Sequence, residues 1–186
     1  RACAQSGTGA ATGSTVCSSL NLAKALHYAI DRSAQVINLS LSGPPDLLLG
    51  RLIDIALSRR ISVVAAFEPA LPKGGFPASR PGVIAVADES LASLPTNVYG
   101  APGRDVPTTQ TGGKWHLVSG NSYAAAHVSG LIALMREHRK PVAAPVLVAS
   151  RSTGGVIDAC ATLIRTSKAC DCSCAVARQI AGTSHR

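Results

Sequence analysis

Residues 36–66 read VINLSLSGPPDLLLGRLIDIALSRRISVVAA, and this stretch decides the fold class. It opens with a partly β-branched apolar run at 36–41 that ends at Ser-Gly-Pro-Pro, which is typical of a buried strand running into a turn. Leucine and isoleucine then recur at helical spacing over 47–57, and residues 61–66 form a second apolar run. A strand, a helix of about a dozen residues and another strand predict a right-handed βαβ unit with parallel strands.

The flanking sequence on both sides shows further predicted helices and strands. Residues 1–20 are rich in Gly, Ser and Thr, and we expect a loop there. The further predicted elements are helices at 19–33, 122–138 and 156–167, strands at 83–87 and 97–99, and a hairpin joined by Gly112-Gly113. The helix at 122–138 begins with small residues, so neighbouring backbone can approach it closely. We therefore expect an α/β fold, with a mostly parallel sheet flanked by helices and a buried central helix.

The composition excludes several classes of protein. The 186 residues include 18 Lys and Arg against 10 Asp and Glu, a formal net charge of +8. Aromatic residues make up only 3%, so the chain lacks the stacking platform that single-strand binders use, and it has no long basic run; no nucleic-acid partner is therefore expected. The longest apolar stretch, 123–135, is interrupted and shorter than the roughly 20 residues that cross a bilayer, so no membrane span is expected.

The six cysteines indicate an oxidising compartment, and we expect a secreted or periplasmic protein. Cys3 and Cys17 are predicted to close a short loop by a disulfide. Cys170, Cys172 and Cys174 are spaced more closely than the paired ligands of most zinc sites, so we predict neither a metal nor another cofactor. Pairing with Cys160 or with another chain is the preferred alternative, and the connectivity stays open.

The segment 118–130, VSGNSYAAAHVSG, places a serine at a Gly-led turn into a helix. The hydroxyl of Ser122 there faces the positive end of the helix dipole, and free backbone N–H groups can bind a developing oxyanion. Such a serine is a candidate nucleophile if a base can reach it. A purely structural N-cap serine is the alternative.

Four segments resemble motifs of the subtilisin-like serine peptidases, in that family's order, across about residues 20–140. Residues 120–130 resemble the pattern Gly-Thr-Ser-Met-Ala-x-Pro-His-Val-x-Gly around the nucleophile. Residues 36–44 resemble the strand Val-Ile-Asn-Met-Ser-Leu-Gly-Gly-Pro, and residues 76–86 resemble a segment that begins Tyr-Pro-Ala and ends Val-Ile-Ala-Val. Ala-Pro-Gly at 101–103 matches the tripeptide that precedes the serine.

The resemblance implies a serine endopeptidase in which Ser122 attacks a peptide carbonyl and forms an acyl-enzyme. Residues 1–150 would be the C-terminal part of the peptidase domain, and 151–186 its last helix and Cys-rich tail. Peptide or protein substrate would pair with the segment Ser40, Leu41, Ser42 and Gly43. The pocket for the side chain before the scissile bond would be lined by Ala65, Ala66 and Phe67. Phe67 replaces a residue that is usually small in the family, so it would narrow this pocket.

The chain departs from the family where the rest of the triad should be. The aspartate motif and the motif His-Gly-Thr-His do not occur in these residues, so an N-terminal segment or companion chain would have to supply them. His127 matches a structural histidine of the family. The other four histidines lack the context of a general base: His27, His116, His138 and His185.

A second departure concerns the oxyanion region, which the resemblance assigns to Glu68 and Asn121. Glu68 stands where the family has an asparagine, and an ionised carboxylate would repel an oxyanion. Loss of a side-chain donor costs about 10²–10³-fold in rate, so backbone donors could sustain weak activity. The two departures leave a second hypothesis, a catalytically inactive pseudopeptidase that binds a peptide or protein or acts as a scaffold.

Residues 120–124 also approximate the Gly-x-Ser-x-Gly turn of α/β-hydrolases, with Asp158 and His185 downstream in the required order. That fold needs a much longer domain and leaves the other three matches unexplained. The subtilisin-like interpretation is therefore preferred.

Overall fold

The computed structural model describes residues 3–5, 15–110, 112–137 and 145–167. The strands are β1 (Cys3–Gln5), β2 (Thr15–Cys17), β3 (Val36–Leu39), β4 (Ser62–Ala66), β5 (Ile84–Asp88), β6 (Val98–Ala101), β7 (Val106–Gln110), β8 (Lys114–Val118) and β9 (Gly155–Val156). The helices are α1 (Ser19–Asp31), α2 (Leu47–Ser58), α3 (Asn121–Glu137) and α4 (Ala159–Ser167). None of the described helices is both long and apolar enough to cross a bilayer.

Five strands form one parallel sheet in the order β3-β4-β5-β6-β9. Its first unit is the βαβ arrangement expected from residues 36–66, with Asn38 opposite Val64 in the register of β3 and β4. A parallel sheet covered on both faces needs apolar side chains on both, and all five residues of β4 are buried. The predicted α/β class is confirmed.

The two faces of the sheet have different cores. Val63 and Ala65 point towards the cluster formed with α1 and α2, whereas Val64 and Ala66 point towards α3. On the second face, α3 is the central helix. It packs with its alanines and branched aliphatic residues, Ala124, Ala125, Val128 and Ile132, all of which are buried.

All three larger helices end at the amino end of the sheet, where arginines donate to the backbone of neighbouring elements. The Nη2 group of Arg136 donates to the carbonyl of Arg60 at 2.9 Å and to Ser62 Oγ at 2.7 Å. Arg59 donates to the carbonyl of Ile30 in α1 at 3.5 Å. Cations near helix C-termini stabilise the unpaired carbonyls there. The opposite, carboxyl end of the sheet is thus left for the loops that carry the candidate site.

Two expectations need correction. The segment expected to be a loop over residues 1–20 contains β1 and β2, which pair antiparallel and are joined by the disulfide Cys3–Cys17. The last helix begins at Ala159 rather than 156, because residues 155 and 156 form β9 and pair with β6. A strand of two residues is too short to show an alternation of apolar and polar residues in the sequence. The hairpin is confirmed as β7 and β8, and the Cys-rich tail lies outside the described residues.

Candidate active site

The candidate site lies at the carboxyl ends of the parallel strands, where β8 turns into α3. This is the end of open α/β sheets at which ligands bind. The turn is closed by a hydrogen bond from Gly120 N to the carbonyl of Gly103 at 2.8 Å. A second bond runs from Asp105 N to Ser119 Oγ at 3.0 Å. These bonds fix the end of the hairpin beside the first residues of α3.

Asn121, the first residue of α3, braces the turn against two strands. Its Nδ2 group donates to the carbonyl of Phe67 at 2.7 Å, and its Oδ1 accepts from Asp88 N at 2.8 Å. The side chain thereby ties the ends of β4 and β5 to the start of α3. The amide that the resemblance assigned to the oxyanion region is engaged in these two structural bonds.

Ser122 lies in the first turn of α3 and is half-buried. Its carbonyl accepts a hydrogen bond from Ser40 Oγ at 2.9 Å. Its own Oγ has no hydrogen-bond partner among the described residues. The first turn of a helix carries backbone N–H groups without intrahelical acceptors and the positive end of the helix dipole. The serine hydroxyl therefore lies where a developing negative charge is stabilised.

A polar network links the edge strand β3 to α3, and the sequence reasoning missed two of its members. Asn38 Nδ2 donates to Ser40 Oγ at 2.9 Å, and Ser129 Oγ lies 3.1 Å from Asn38 Oδ1. Ser129 also approaches the carbonyl of Ala125 at 2.8 Å. The only hint in the sequence is an asparagine inside an otherwise apolar run.

The segment assigned to substrate pairing, residues 40–43, leaves the sheet beyond β3. Gly43 exchanges two backbone hydrogen bonds with Phe76, at 2.9 and 3.0 Å. Leu41 packs against the α1 and α2 cluster, and Ser42 is exposed. The pocket residues Ala65, Ala66 and Phe67 are all buried. Hydrogen bonds thus bring Ser40, Phe67, Asn121 and Ser122 to one place.

Glu68 is half-buried and holds its own loop. Its Oε1 accepts from Ala70 N at 3.1 Å, its N–H donates to the carbonyl of Gly74 at 3.0 Å, and its carbonyl accepts from Leu71 N at 3.0 Å. No hydrogen bond among the described residues joins it to Ser122 or Asn121. In this arrangement the carboxylate stabilises a turn.

Asp88 ends β5 next to Asn121 and is held in its ionised form. Burial raises the pKa of its carboxyl, but hydrogen bonds from Ser90 Oγ and Ser90 N and the charge of Arg104 outweigh burial and keep the pKa below its ordinary value. Its oxygens are directed to the loop 88–90 and to Arg104. Asp88 therefore acts as a turn acceptor in the wall of the site.

The described histidines serve other purposes. His127 Nδ1 donates to the carbonyl of Pro102 at 2.7 Å, and His27 lies 3.4 Å from Asp31 within α1. His116 is exposed on β8. None of these three is hydrogen-bonded to Ser122, and His138 and His185 lie outside the described residues. The part of the chain that the structure covers therefore brings no histidine base into hydrogen-bond contact with the serine.

Curated proteins related in sequence are serine proteases. An intracellular serine protease of Paenibacillus polymyxa is 31% identical over 127 residues, which cover 60% of this chain and 39% of that protein. A thermophilic serine proteinase of Bacillus sp. strain AK1 is 38% identical over 127 residues, or 62% and 31%. Subtilisin of Bacillus pumilus is 34% identical over 125 residues, or 59% and 45%. The matched region spans less than half the length of each of these relatives. No protein-family model matches the chain.

Solved structures with the same fold include proteases and a macrocyclase. The prenylagaramide maturation protease PagA superposes with a TM-score of 0.68 at 21% identity, covering 84% of this chain and 70% of PagA. The PatG macrocyclase in complex with peptide gives 0.67 at 20% identity, covering 83% and 58%. The self-cleaved protease domain of PatA gives 0.65 at 23% identity, covering 82% and 69%. At these identities the likeness shows the fold alone.

Proposed function

We propose, from the premise that the chain is related to subtilisin-like serine peptidases, that it is the nucleophile-bearing part of a serine endopeptidase. The observation that carries the proposal is the position of Ser122 in the first turn of α3, beside the ends of β3, β4, β5 and β6. An aspartate and a histidine would come from an N-terminal segment or a separate chain. The substrate is a peptide or protein.

In the proposed reaction Ser122 Oγ attacks the peptide carbonyl carbon while the companion's histidine takes the hydroxyl proton. The C–N bond then breaks, the histidine returns the proton to the leaving amine, and the acyl group remains as an ester on Ser122. Water hydrolyses this ester with the same histidine as base. Because Asn121 and Glu68 are engaged elsewhere, backbone N–H groups at the start of α3 carry the stabilisation of the oxyanion.

The edge of the sheet supports the proposal of a companion segment. β3 pairs with β4 on one side, and on its other side no strand of the described residues lies against it. Parallel sheets are usually covered on both faces, and exposed edges are usually short or protected. Asn38 and Ser40 are exposed along this edge. A further strand placed beside β3 would arrive next to Ser122.

One side of α3 supports the same proposal. Ser129 is hydrogen-bonded to Asn38, so its side of α3 lies over β3. The residues beside Ser129 on the helix surface are small and exposed: Ala126, Gly130 and Ala133. We call these three residues the open face of α3. A Cβ atom built at Gly130 would meet no atom within 4 Å. In the proposed assembly the companion strand packs against this face.

A fluorophosphonate probe tests the function directly. The native assembly containing this chain is expected to be labelled at Ser122, as located by mass spectrometry of peptides. Ser122→Ala should abolish labelling. Ser58→Ala, which removes an exposed hydroxyl at the end of α2, on the side of the sheet opposite the site, should leave labelling at Ser122. Folded, intact assembly that takes up no probe at Ser122 would exclude the peptidase.

A pseudopeptidase is the second candidate, and two observations favour it. A carboxylate, Glu68, stands where a donor is expected, and the described residues bring no base to Ser122. This candidate binds peptides in the same groove without reacting with the probe. Peptide binding by probe-resistant material would therefore support it over the enzyme.

An oxidising location is proposed from the disulfide Cys3–Cys17, which is typical of secreted and periplasmic proteins. The curated relatives include proteins named as intracellular. Mass measurement of the protein from its native source, with and without thiol alkylation, would decide whether this bond forms there.

A further inference from the structure

Two backbone segments flank the space beside the nucleophile. Ser40 is joined to Ser122 by its hydroxyl at 2.9 Å, and the carbonyl of Phe67 is joined to Asn121 at 2.7 Å. We call the space between residues 40–43 and 65–67 the recess. If a peptide carbonyl lies at Ser122, as the proposed function requires, the side chain before the scissile bond is directed towards this space.

The side chain of Phe67 is buried directly below one of the two backbone segments that flank the recess. Side chains alternate along β4 and its extension, so Phe67 lies on the same face as Val63 and Ala65, within the α1 and α2 cluster. It is only 8% exposed. Its ring lies so close to Gly74 that a methyl group there would overlap the ring, and Gly74 has a φ of +85°. Only glycine accommodates both the contact and this backbone conformation.

The loop that follows closes the remaining sides. Gly75 lies against Ser42 and Leu71 so tightly that a Cβ atom at 75 would overlap Ser42 Oγ. The paired hydrogen bonds between Gly43 and Phe76 hold this loop to the segment 40–43. The ring of Phe67 is therefore packed against a Gly74-Gly75 backbone that is itself held to the segment 40–43.

We infer that Phe67 restricts the site to peptides with glycine or alanine immediately before the scissile bond. This inference rests on the proposed function and specifies its substrate class. Larger side chains would have to displace a packed ring, and protein interiors resist added volume. Phe67 also lines a cleft of about 730 Å³, together with Leu71, Ala85 and Val98. Removal of the ring would therefore open the recess into existing space.

The experiment uses peptidyl diphenyl phosphonates of one sequence that differ only in the residue before the phosphorus. Serine attack forms an Oγ–P bond and releases phenol, so the rate of Ser122 modification reports the fit of that residue. With the native assembly we expect the alanine compound to react about 100-fold faster than the phenylalanine compound. Phe67→Ala should raise the rate of the phenylalanine compound at least about tenfold.

Phe67→Leu is the matched control, because it keeps most of the buried volume and should keep the preference of the wild type. If Phe67→Ala fails to fold, a Phe67→Val variant takes its place. This variant should give a preference between those of the wild type and the expected alanine variant. Far-UV circular dichroism establishes that each variant is folded. Equal rates of the alanine and phenylalanine compounds in the wild type would overturn the inference while leaving the peptidase in place.

Failure of the proposed function gives a different result, because then no probe, including a simple fluorophosphonate, modifies Ser122. The recess is tested in that case by binding of peptide amides that end in alanine or phenylalanine, measured by calorimetry. Stronger binding of the alanine peptide supports restriction of the recess by Phe67 in a non-catalytic protein. Equal affinities of the two peptides would overturn that restriction.

Discussion

Among single residues, Asn121 holds more of the site together than its neighbour Ser122 does. Its amide bonds to Phe67 and Asp88, which lie 54 and 33 residues away in the chain. Both partners are backbone groups at strand ends and are only partly accessible to water. Their hydrogen bonds cannot be replaced by solvent without a rearrangement of the turn.

Asn121→Ala is therefore expected to lower the free energy of unfolding by about 2–3 kcal/mol, because it leaves a carbonyl and an N–H group without partners. Urea denaturation followed by far-UV circular dichroism measures this loss. Asn21→Ala, on the exposed side of α1, is the matched control and should change stability by less than about 0.5 kcal/mol. A loss at Asn121 no larger than that of the control would contradict the bracing role.

The sequence predicted the position of Ser122 but not the partners of Asn121. A serine after glycine at the start of a small-residue helix is a local pattern, so it can be recognised without the fold. The bonds of Asn121 join positions far apart in the chain and depend on the sheet order. The same limit applies to Asn38 and Ser129, whose contact spans 91 residues.

Among the elements, α3 combines a buried side with the open face defined by Ala126, Gly130 and Ala133. Glycine inside a helix costs roughly 0.5–1 kcal/mol relative to alanine, so its presence at 130 needs a reason. A Cβ atom built at that position would meet no atom of a neighbouring element of the described structure within 4 Å. Close approach of the proposed companion strand supplies the reason.

Gly130→Leu should be tolerated by this chain alone, with a stability equal to or slightly above that of the wild type, because leucine has the higher helix propensity. The same variant should block assembly with the companion segment, as measured by co-purification or analytical ultracentrifugation. Lys24→Leu, on the exposed side of α1, adds the same side chain elsewhere and should leave assembly intact. Normal assembly of Gly130→Leu would exclude the open face as the contact surface.

The helices were predictable because their burial is periodic, and the buried parallel strands because they are continuous apolar runs. β4 is buried at every position, and α1 buries Ala23, Leu26 and Ile30 at helical spacing. The short elements were not predictable. β1, β2 and β9 have two or three residues each, so their pairing depends on the disulfide and on the neighbouring strand rather than on a pattern.

For the molecule as a whole, the hairpin of β7 and β8 stands apart from the two cores. The single tryptophan, Trp115, lies on it and is 74% exposed. The indole ring is therefore surrounded mostly by water in the folded protein, as it is in the unfolded chain. We expect the tryptophan emission maximum to shift little across a urea transition that far-UV circular dichroism detects fully.

A variant that combines Trp115→Phe with Phe76→Trp provides the control, since position 76 is buried in the cluster formed with α1 and α2. Its emission should move strongly to longer wavelength on unfolding. A large shift for Trp115 in the wild type would show that the hairpin is covered by other parts of the molecule.

The turn at Gly120 and Asn121 is bonded to the ends of β4, β5 and β6, and this has a consequence for how such chains evolve. Mutations at Gly120 or Asn121 are expected to destabilise the fold, whereas a change of Ser122 to alanine removes only a hydroxyl that has no partner in the described structure. Natural selection would therefore preserve the sequence around the serine in a descendant that had lost catalysis. In related chains the residues around the serine therefore indicate a common fold, and only the presence or absence of the serine bears on whether catalysis is retained.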